Sequence, residues 1–456
     1  LSYAVLLAAA TWTSAFGGRQ GPGVAITVYN DDFAVVRESR RMQFEDGLNK
    51  VRFTDVASAI DPASVSFSCL SNPGAVSILE QNYEYDLVSA SSLLKRYIDG
   101  RVGIIVKGSG SDEGRRLDGK LMAALGGELI LETDAGGIEI LDRSAVEAIS
   151  LKDLPEDLVT RPTLVWLAES TTEGKLLCRL TYTTGRIRWS ADYSAILDSA
   201  EAAIDLAGWV TIDNRSGKTY KDAAIKLIAG DVRRIVEARP MMREIALAGD
   251  AAPRQIESKP FMEYHLYTLG RPSTVNNNQV KQIEFIPVVA GVPVEKLYIY
   301  ERGRGREGIQ VKLEFENTAA NGLGMALPRG KVRVFKKDPS DENLEFVGED
   351  RIDHTPKNEK LSLYVGDAFD IVAEHTLVDS RHGRRVRTSS HKIELRNRKD
   401  LPVTVFVDEQ FAPEVNWRID RSTHDYVKHD ARTARFEVAV KADSEVALEY
   451  AATETW

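Results

Sequence analysis

The chain has 456 residues, 43% hydrophobic and 28% charged, with a formal net charge of −9. That length suits about two to four domains with sizeable cores. The negative balance argues against nucleic acid as the main partner, because phosphate recognition needs a basic face.

Residues 1–20 open with an apolar run, Leu1 to Ala15, followed by small residues, Gly, Arg and Pro. The run is too short to cross a bilayer. It reads as the remnant of a secretory signal, which places the protein in the periplasm or outside the cell. A buried N-terminal element is the other reading. No later apolar run reaches membrane length, so no transmembrane segment is expected.

From residue 21 the dominant period is two, the signature of strands with one face on a core. GVAITVYN, AVVRESRRMQF, SVSFSCL and AVSILEQ make an N-terminal β region over 21–85. The next segment, DLVSASSLLKRYIDG, is helical. Leu87, Leu93, Leu94, Tyr97 and Ile98 share a face, Asp86 is an N-cap and Gly100 a stop. Five short strands follow, and residues 86–152 read as a helix leading into a small Sm-like or SH3-like barrel. Such barrels often bind RNA; this one lacks excess positive charge, so a spacer role is favoured.

KLLCRLTY, DLAGWVTI and AAIKLIAG continue as strands of a central β-sandwich over 153–300, interrupted by a long connection at 236–260. KLYIYE closes the central region, and IQVKLEFEN, KVRVFKK, HKIELRN, VTVFVDEQF, RFEVAVKA and EVALEYA form most of a second sandwich over 301–456. The expected fold is thus mainly β: tandem antiparallel sandwiches with the helix-and-barrel module inserted. No internal repeat stands out.

The two cysteines, Cys69 and Cys178, each sit in the apolar phase of a strand. Buried thiols are the plainer reading, and one disulfide is open to an exported protein. GRGREG at 303–308 matches a dinucleotide fingerprint formally, but strands lie on both sides, so it reads as a hairpin loop. No cofactor is indicated. No nucleophile elbow, zinc helix or phosphate loop is present, and no catalytic or metal-ligating set is assigned.

Two groups are candidate ligand-binding sites. In FMEYHLYTL, Glu263, His265 and Tyr267 fall on one face of a strand. With the strand NQVKQIEF as neighbour they make a polar cross-strand seam, which is the structural reading. In SRHGRRVRTSSHKIELRNRK, Arg385, Arg387 and Lys392, with Arg396 and Arg398, make a ridge suited to anionic glycan or lipid headgroups. The competing reading is a strand edge guarded by charge.

The motifs TYTTGRIRWSADYSAIL (181–197), GWVTIDNRSGKTYKDAAIKLIAGDV (208–232), FMEYHLYTL (261–269), NQVKQIEF (278–285), GKVRVF (330–335), FVGEDRIDHTPKNE (346–359) and GDAFDIV (366–372) occur in order. In this the chain resembles a bacterial exported family of unknown function. That family shares its C-terminal β domain with mucoidy-inhibitor-A-like proteins. The resemblance implies tandem β domains at the envelope and carries over no catalytic residue. The coiled coil of the mucoidy-inhibitor-like members has no counterpart here, so a mucoidy-related role is not implied.

Three functions follow as expectations. The first is a non-enzymatic protein acting through a protein partner or self-association. The second is an extracytoplasmic hydrolase drawing on Glu263, Asp353 and Asp367 with His265 or His354. The third is an anionic-glycan binder.

Overall fold

A computed structural model describes residues 22–85, 90–107, 114–152, 161–230, 256–261, 264–302 and 308–456. Among these the chain is mainly β, with thirty-one strands, one seven-residue α-helix and two single 3-10 turns. The strands make six sheets. No described helix is long and apolar enough to cross a membrane.

The period-two pattern becomes burial directly. In Ile187–Leu197 the side chains of Ile187, Trp189, Ala191, Tyr193, Ala195 and Leu197 are buried while those between them are not. A pleated strand sends alternate side chains to opposite faces, so this one can have a core on only one side.

The architecture contains a repeat. Ile187–Leu197 and Ala203–Asn214 form an antiparallel hairpin, and the chain then crosses to another sheet as Tyr220–Ala229. There it pairs in parallel with Gly23–Tyr29, the first strand of the preceding hairpin. Glu295–Arg302 and Gln310–Glu316 form the next hairpin, and Gly330–Lys337 crosses to pair in parallel with Ile187–Leu197. Ile371–His382 and Val386–Asn397 form the last, and Val403–Gln410 crosses to pair in parallel with Glu295–Arg302. Each unit therefore completes the sheet of the unit before it.

The same residue makes each crossing. Asn214, Asn317 and Asn397 are all fully buried where the second hairpin strand ends. Asn397 Nδ2 donates to the carbonyls of Leu401 (2.8 Å) and Lys441 (3.0 Å), and its Oδ1 accepts from the Lys399 N–H. Asn214 does likewise with Lys218 (2.9 Å), Asn276 (3.0 Å) and the Ser216 N–H. Asn317 bridges Met325, Pro356 and the Gly324 N–H. A chain leaving a sheet strands backbone polar groups in the interior, and an Asn amide supplies both the donor and the acceptor they need.

One large apolar cluster joins the eight-stranded sheet containing Gly23–Tyr29 to the five-stranded sheet containing Ile187–Leu197. A second lies between the six-stranded sheet of Glu295–Arg302 and the four-stranded sheet of Val386–Asn397. Strand pairing runs across the boundaries expected from the sequence. Gly23–Tyr29 and Phe33–Phe44 share a sheet with Gly174–Gly185 and Tyr220–Ala229, and Gly330–Lys337 joins Ile187–Leu197. At the end of the expected 236–260 connection, Ile256–Phe261 is a strand; residues 231–255 lie outside the described residues.

The helix and the five-stranded sheet share an apolar cluster of their own. The helix covers Ala90–Arg96, and Asp86 and Leu87 lie outside the described residues. Leu94 packs with Val102, Ile104 and Leu121. The left-handed residue after the helix is Asp99 (φ 67°), one position before the expected Gly100. All five expected strands are present, and the last, Val146–Leu151, returns to pair with the first, Arg101–Val106.

Candidate functional site

The candidate residues on Tyr264–Leu269 belong to a core. Tyr267 is buried, and its ring meets Trp189 (6.0 Å) and Phe285 (5.3 Å) edge-on. His265 is half-buried on the same face, its Nδ1 is enclosed without a hydrogen-bond partner among the described residues, and burial lowers its pKa. Glu263 lies outside the described residues. The expected cross-strand seam is corrected. Tyr264–Leu269 pairs with Tyr220–Ala229 and Ile256–Phe261, whereas Gln279–Pro293 pairs with Ala203–Asn214 in the opposing sheet. The two motifs meet across the core, ring to ring.

The basic ridge is not assembled. Lys392 pairs with Glu394 (2.6 Å), Arg396 with Glu374 (3.0 Å) and Arg398 with Glu445 (2.5 Å). Arg385 is exposed at the turn. Arg387 lies in the other phase, with Ser389, His391, Ile393, Leu395 and Asn397, and faces inward. Its Nε is enclosed with no hydrogen-bond partner among the described residues, as is the Oγ of Ser380. Of the other expected acid-base residues, His354 Nδ1 accepts from the Arg329 N–H and Asp367 accepts from the Tyr364 hydroxyl. Among the described residues no three His, Cys, Asp or Glu side chains converge to hold a metal ion.

The polar chemistry is concentrated between the two sheets of the last unit. Arg302 and Glu409 are register partners on parallel strands, and the guanidinium grips the carboxylate through Nε and Nη2. From the facing sheet, the Tyr450 hydroxyl donates to the same carboxylate (2.5 Å). His391, the register partner of Tyr450, stacks on its ring at 5.1 Å. His391 Nδ1 is 2.9 Å from His375 Nε2, and His391 Nε2 is 2.9 Å from Ser389 Oγ. Glu409, Ser389 and His391 are 1%, 2% and 3% exposed.

Electrostatics keep the imidazoles neutral. Burial first, then the charges of Arg302, His375 and Arg387, push His391 down to about 3. Burial, then Arg302, lowers His375. Burial, then Glu409, raises Tyr450. With both rings neutral, one imidazole donates and the other accepts, and Ser389 completes the chain.

The fold does not demand this cluster. Counting back from the crossing Asn, the position of His391 is Gly208 in the first unit and Val311 in the second. That of Ser389 is Leu206 and Ile309. All four face inward, so apolar residues and glycine serve elsewhere. The sequence carried a signal that went unread: His391 is in phase with Ile393 and Leu395, Tyr450 with Leu448, and Glu409 with Val405 and Val407. Polar groups in a core phase are the ones that need explaining.

A second buried ionic group sits at the first crossing. Lys218 Nζ lies 3.3 Å from Glu38 Oε2 and 3.6 Å from Asp55 Oδ2, and Arg40 also holds Glu38. It fastens the loop after Asn214 to the first hairpin, and its charges are matched.

No family model matches the chain, and no curated protein matches it.

Proposed function

We propose that the chain is an exported, non-enzymatic protein of tandem β-sandwiches that acts in protein interaction, adhesion or assembly at the cell envelope. On this reading it belongs to the bacterial family whose motifs it resembles. Residues 86–152 would be an inserted helix with a Sm/SH3-like barrel serving as a spacer, a reading supported by the return of its last strand to its first. The observation that carries the proposal is the crossing strand. Each unit is completed by a strand of the next, so neighbouring units are joined through shared sheets and not by linkers alone. Trp209, Val280 and Val288 are exposed on strands of the middle sheet, the kind of apolar surface that partners cover. Cross-linking mass spectrometry on intact cells, with this chain as bait, tests it. One dominant envelope partner, or a repeated self-contact, supports the reading; no protein above background overturns it.

The hydrolase reading retains one supporting observation, in residues other than those expected. Ser389 Oγ and His391 Nε2 are at nucleophile–base distance, with His375 behind. A base pushed down to about 3 is a poor acceptor near neutrality, which weighs against it. Labelling by a fluorophosphonate, lost in Ser389→Ala, would put the hydrolase first. The glycan reading has weaker support, because Lys392, Arg396 and Arg398 are already paired with carboxylates.

A further inference from the structure

We propose that Cys69 and Cys178 are a disulfide site, where the two thiols exchange with a small-molecule disulfide to form one bond across the edge of the eight-stranded sheet. Ser66–Cys69 is the edge strand of that sheet and only four residues long. It pairs antiparallel with Gly174–Gly185, and Cys69 lies directly opposite Cys178. The register class favours a bond. The Leu70 N–H donates to the Leu177 carbonyl at 2.7 Å, so the adjacent Cys69–Cys178 pair is of the non-hydrogen-bonded kind. Cα atoms in such pairs lie about 4.5 Å apart, inside the roughly 4.4–6.8 Å window that a disulfide spans.

Both cysteines are free and buried. They share a small apolar cluster with Phe44, Val76, Ala168 and Leu176, where the eight-stranded sheet meets the three-stranded sheet of Thr163–Ser170. Burial, then the neighbouring Cys69, pushes the Cys178 thiol up to about 12. The site also has a place in the topology. Between the two cysteines the chain makes Val76–Glu84, the helix, the whole five-stranded sheet and Thr163–Ser170. A bond here closes that long excursion at its base, where a four-residue edge strand is otherwise the joint.

The chemistry balances in two exchanges. Cys69 lies on the edge strand and is reached by lifting four residues, so its thiolate attacks one sulfur of the small disulfide. That S–S bond breaks, and the departing thiolate takes up the proton that Cys69 lost. The Cys178 thiolate then attacks the Cys69 sulfur of the mixed disulfide and releases the second small thiol, which takes the Cys178 proton. Two cysteines are oxidised and one small disulfide is reduced to two thiols. The second step is slow near neutrality, because so little of Cys178 is thiolate, and quickens as pH rises.

The purified full-length chain is equilibrated, folded, in glutathione buffers from fully reduced to fully oxidised. It is then quenched in acid, alkylated in denaturant and weighed. The expected result is passage from two alkylated cysteines to none, in a monomer two hydrogens lighter. A non-reducing digest should contain a peptide joining Cys69 to Cys178. The oxidised form should melt several degrees higher, since closing a loop this long restricts the unfolded chain. Closure should accelerate about tenfold per pH unit between roughly pH 7 and 9. Cys178→Ala should stop at one glutathione adduct, on Cys69. Two alkylatable cysteines in the most oxidising buffer, or a stable adduct on either residue of the unmutated chain, would overturn the proposal, and that measurement stands whether or not the variant folds.

Discussion

Acidification should loosen the last unit through His391. The sign follows from burial of a neutral base. A histidine whose folded pKa lies below its unfolded value contributes stability that is fully present above the unfolded value, near 6.5, and is lost as pH falls towards the folded one. For His391 the folded value is about 3. At pH 5 the unfolded chain has bound a proton that the folded chain refuses, and the deficit is about 1.5 pH units, or about 2 kcal/mol. His375, also lowered, adds in the same direction. The groups facing His391 are Arg302 and Arg387, which oppose its protonation, and Glu409, whose charge is taken up by Arg302 and Tyr450. A separate acid response begins lower. Burial opposes ionisation of Glu201, but the hydrogen bonds of Lys296 and Lys336 bring it down to about 2. Its contribution is intact above about pH 4.5 and lost below, so the interval from about pH 5 to 7 isolates the histidines.

Amide exchange in the Val386–Asn397 and Ser444–Thr455 strands is the assay, because a chain of coupled units need not unfold in one step. After correction for intrinsic rates, opening of these strands should be about 30-fold more populated at pH 5 than at pH 8, the equivalent of about 2 kcal/mol. His391→Val, which places there the residue found at Val311, should open more readily at pH 8 because Ser389 and His375 lose a partner. Its opening should change much less between the two pH values. An equal pH response in variant and parent would refute the reasoning, since the response would then arise elsewhere.

Three further outcomes are expected. Asn397→Ala removes the donor to the Leu401, Val440 and Lys441 carbonyls and the acceptor for the Lys399 N–H, and should cost about 2 kcal/mol; urea melts of this variant and of Asn214→Ala should shift alike if the two crossings are equivalent. Lys218→Met leaves Glu38 and Asp55 short of a cation and should cost about 3 kcal/mol, part of which Glu38→Gln in the same chain restores; an unchanged melting temperature would mean the lysine is not held as described. His265→Ala should lower stability by about 1–2 kcal/mol with no loss of ligand or turnover; a lost binding activity at unchanged stability would show that the core reading is wrong.

Much of the fold was legible because burial in a one-sided sheet writes itself as alternation. GVAITVYN and HKIELRN lie where their periods put them, and the five strands of 101–151 are all present. Partners were not legible. Gly23–Tyr29 finds Tyr220–Ala229, and Tyr264–Leu269 faces Gln279–Pro293 rather than pairing with it. Such choices are made by the three-dimensional path of the chain, and a strand's own period is the same whichever neighbour it takes. The ridge through Arg385, Arg387 and Lys392 failed for a simpler reason: the period that makes a strand also divides these residues between two faces.

The repeat escaped notice because its common element is small. After Asn214 and Asn397 the crossing strand begins six positions on, whereas after Asn317 it begins thirteen on, at Gly330. Hairpin loops differ as well, so no fixed spacing survives. What is constant is one Asn at the end of one strand, bonding its own crossing loop and one other segment of backbone. Once those crossings are aligned, the positions that depart from them stand out. Gly208 and Val311 show that the fold accepts glycine or an apolar residue where His391 stands, and Leu206 and Ile309 show the same for Ser389. A buried His391 beside an ion pair costs stability on acidification, and the other units close their cores without an imidazole at that position.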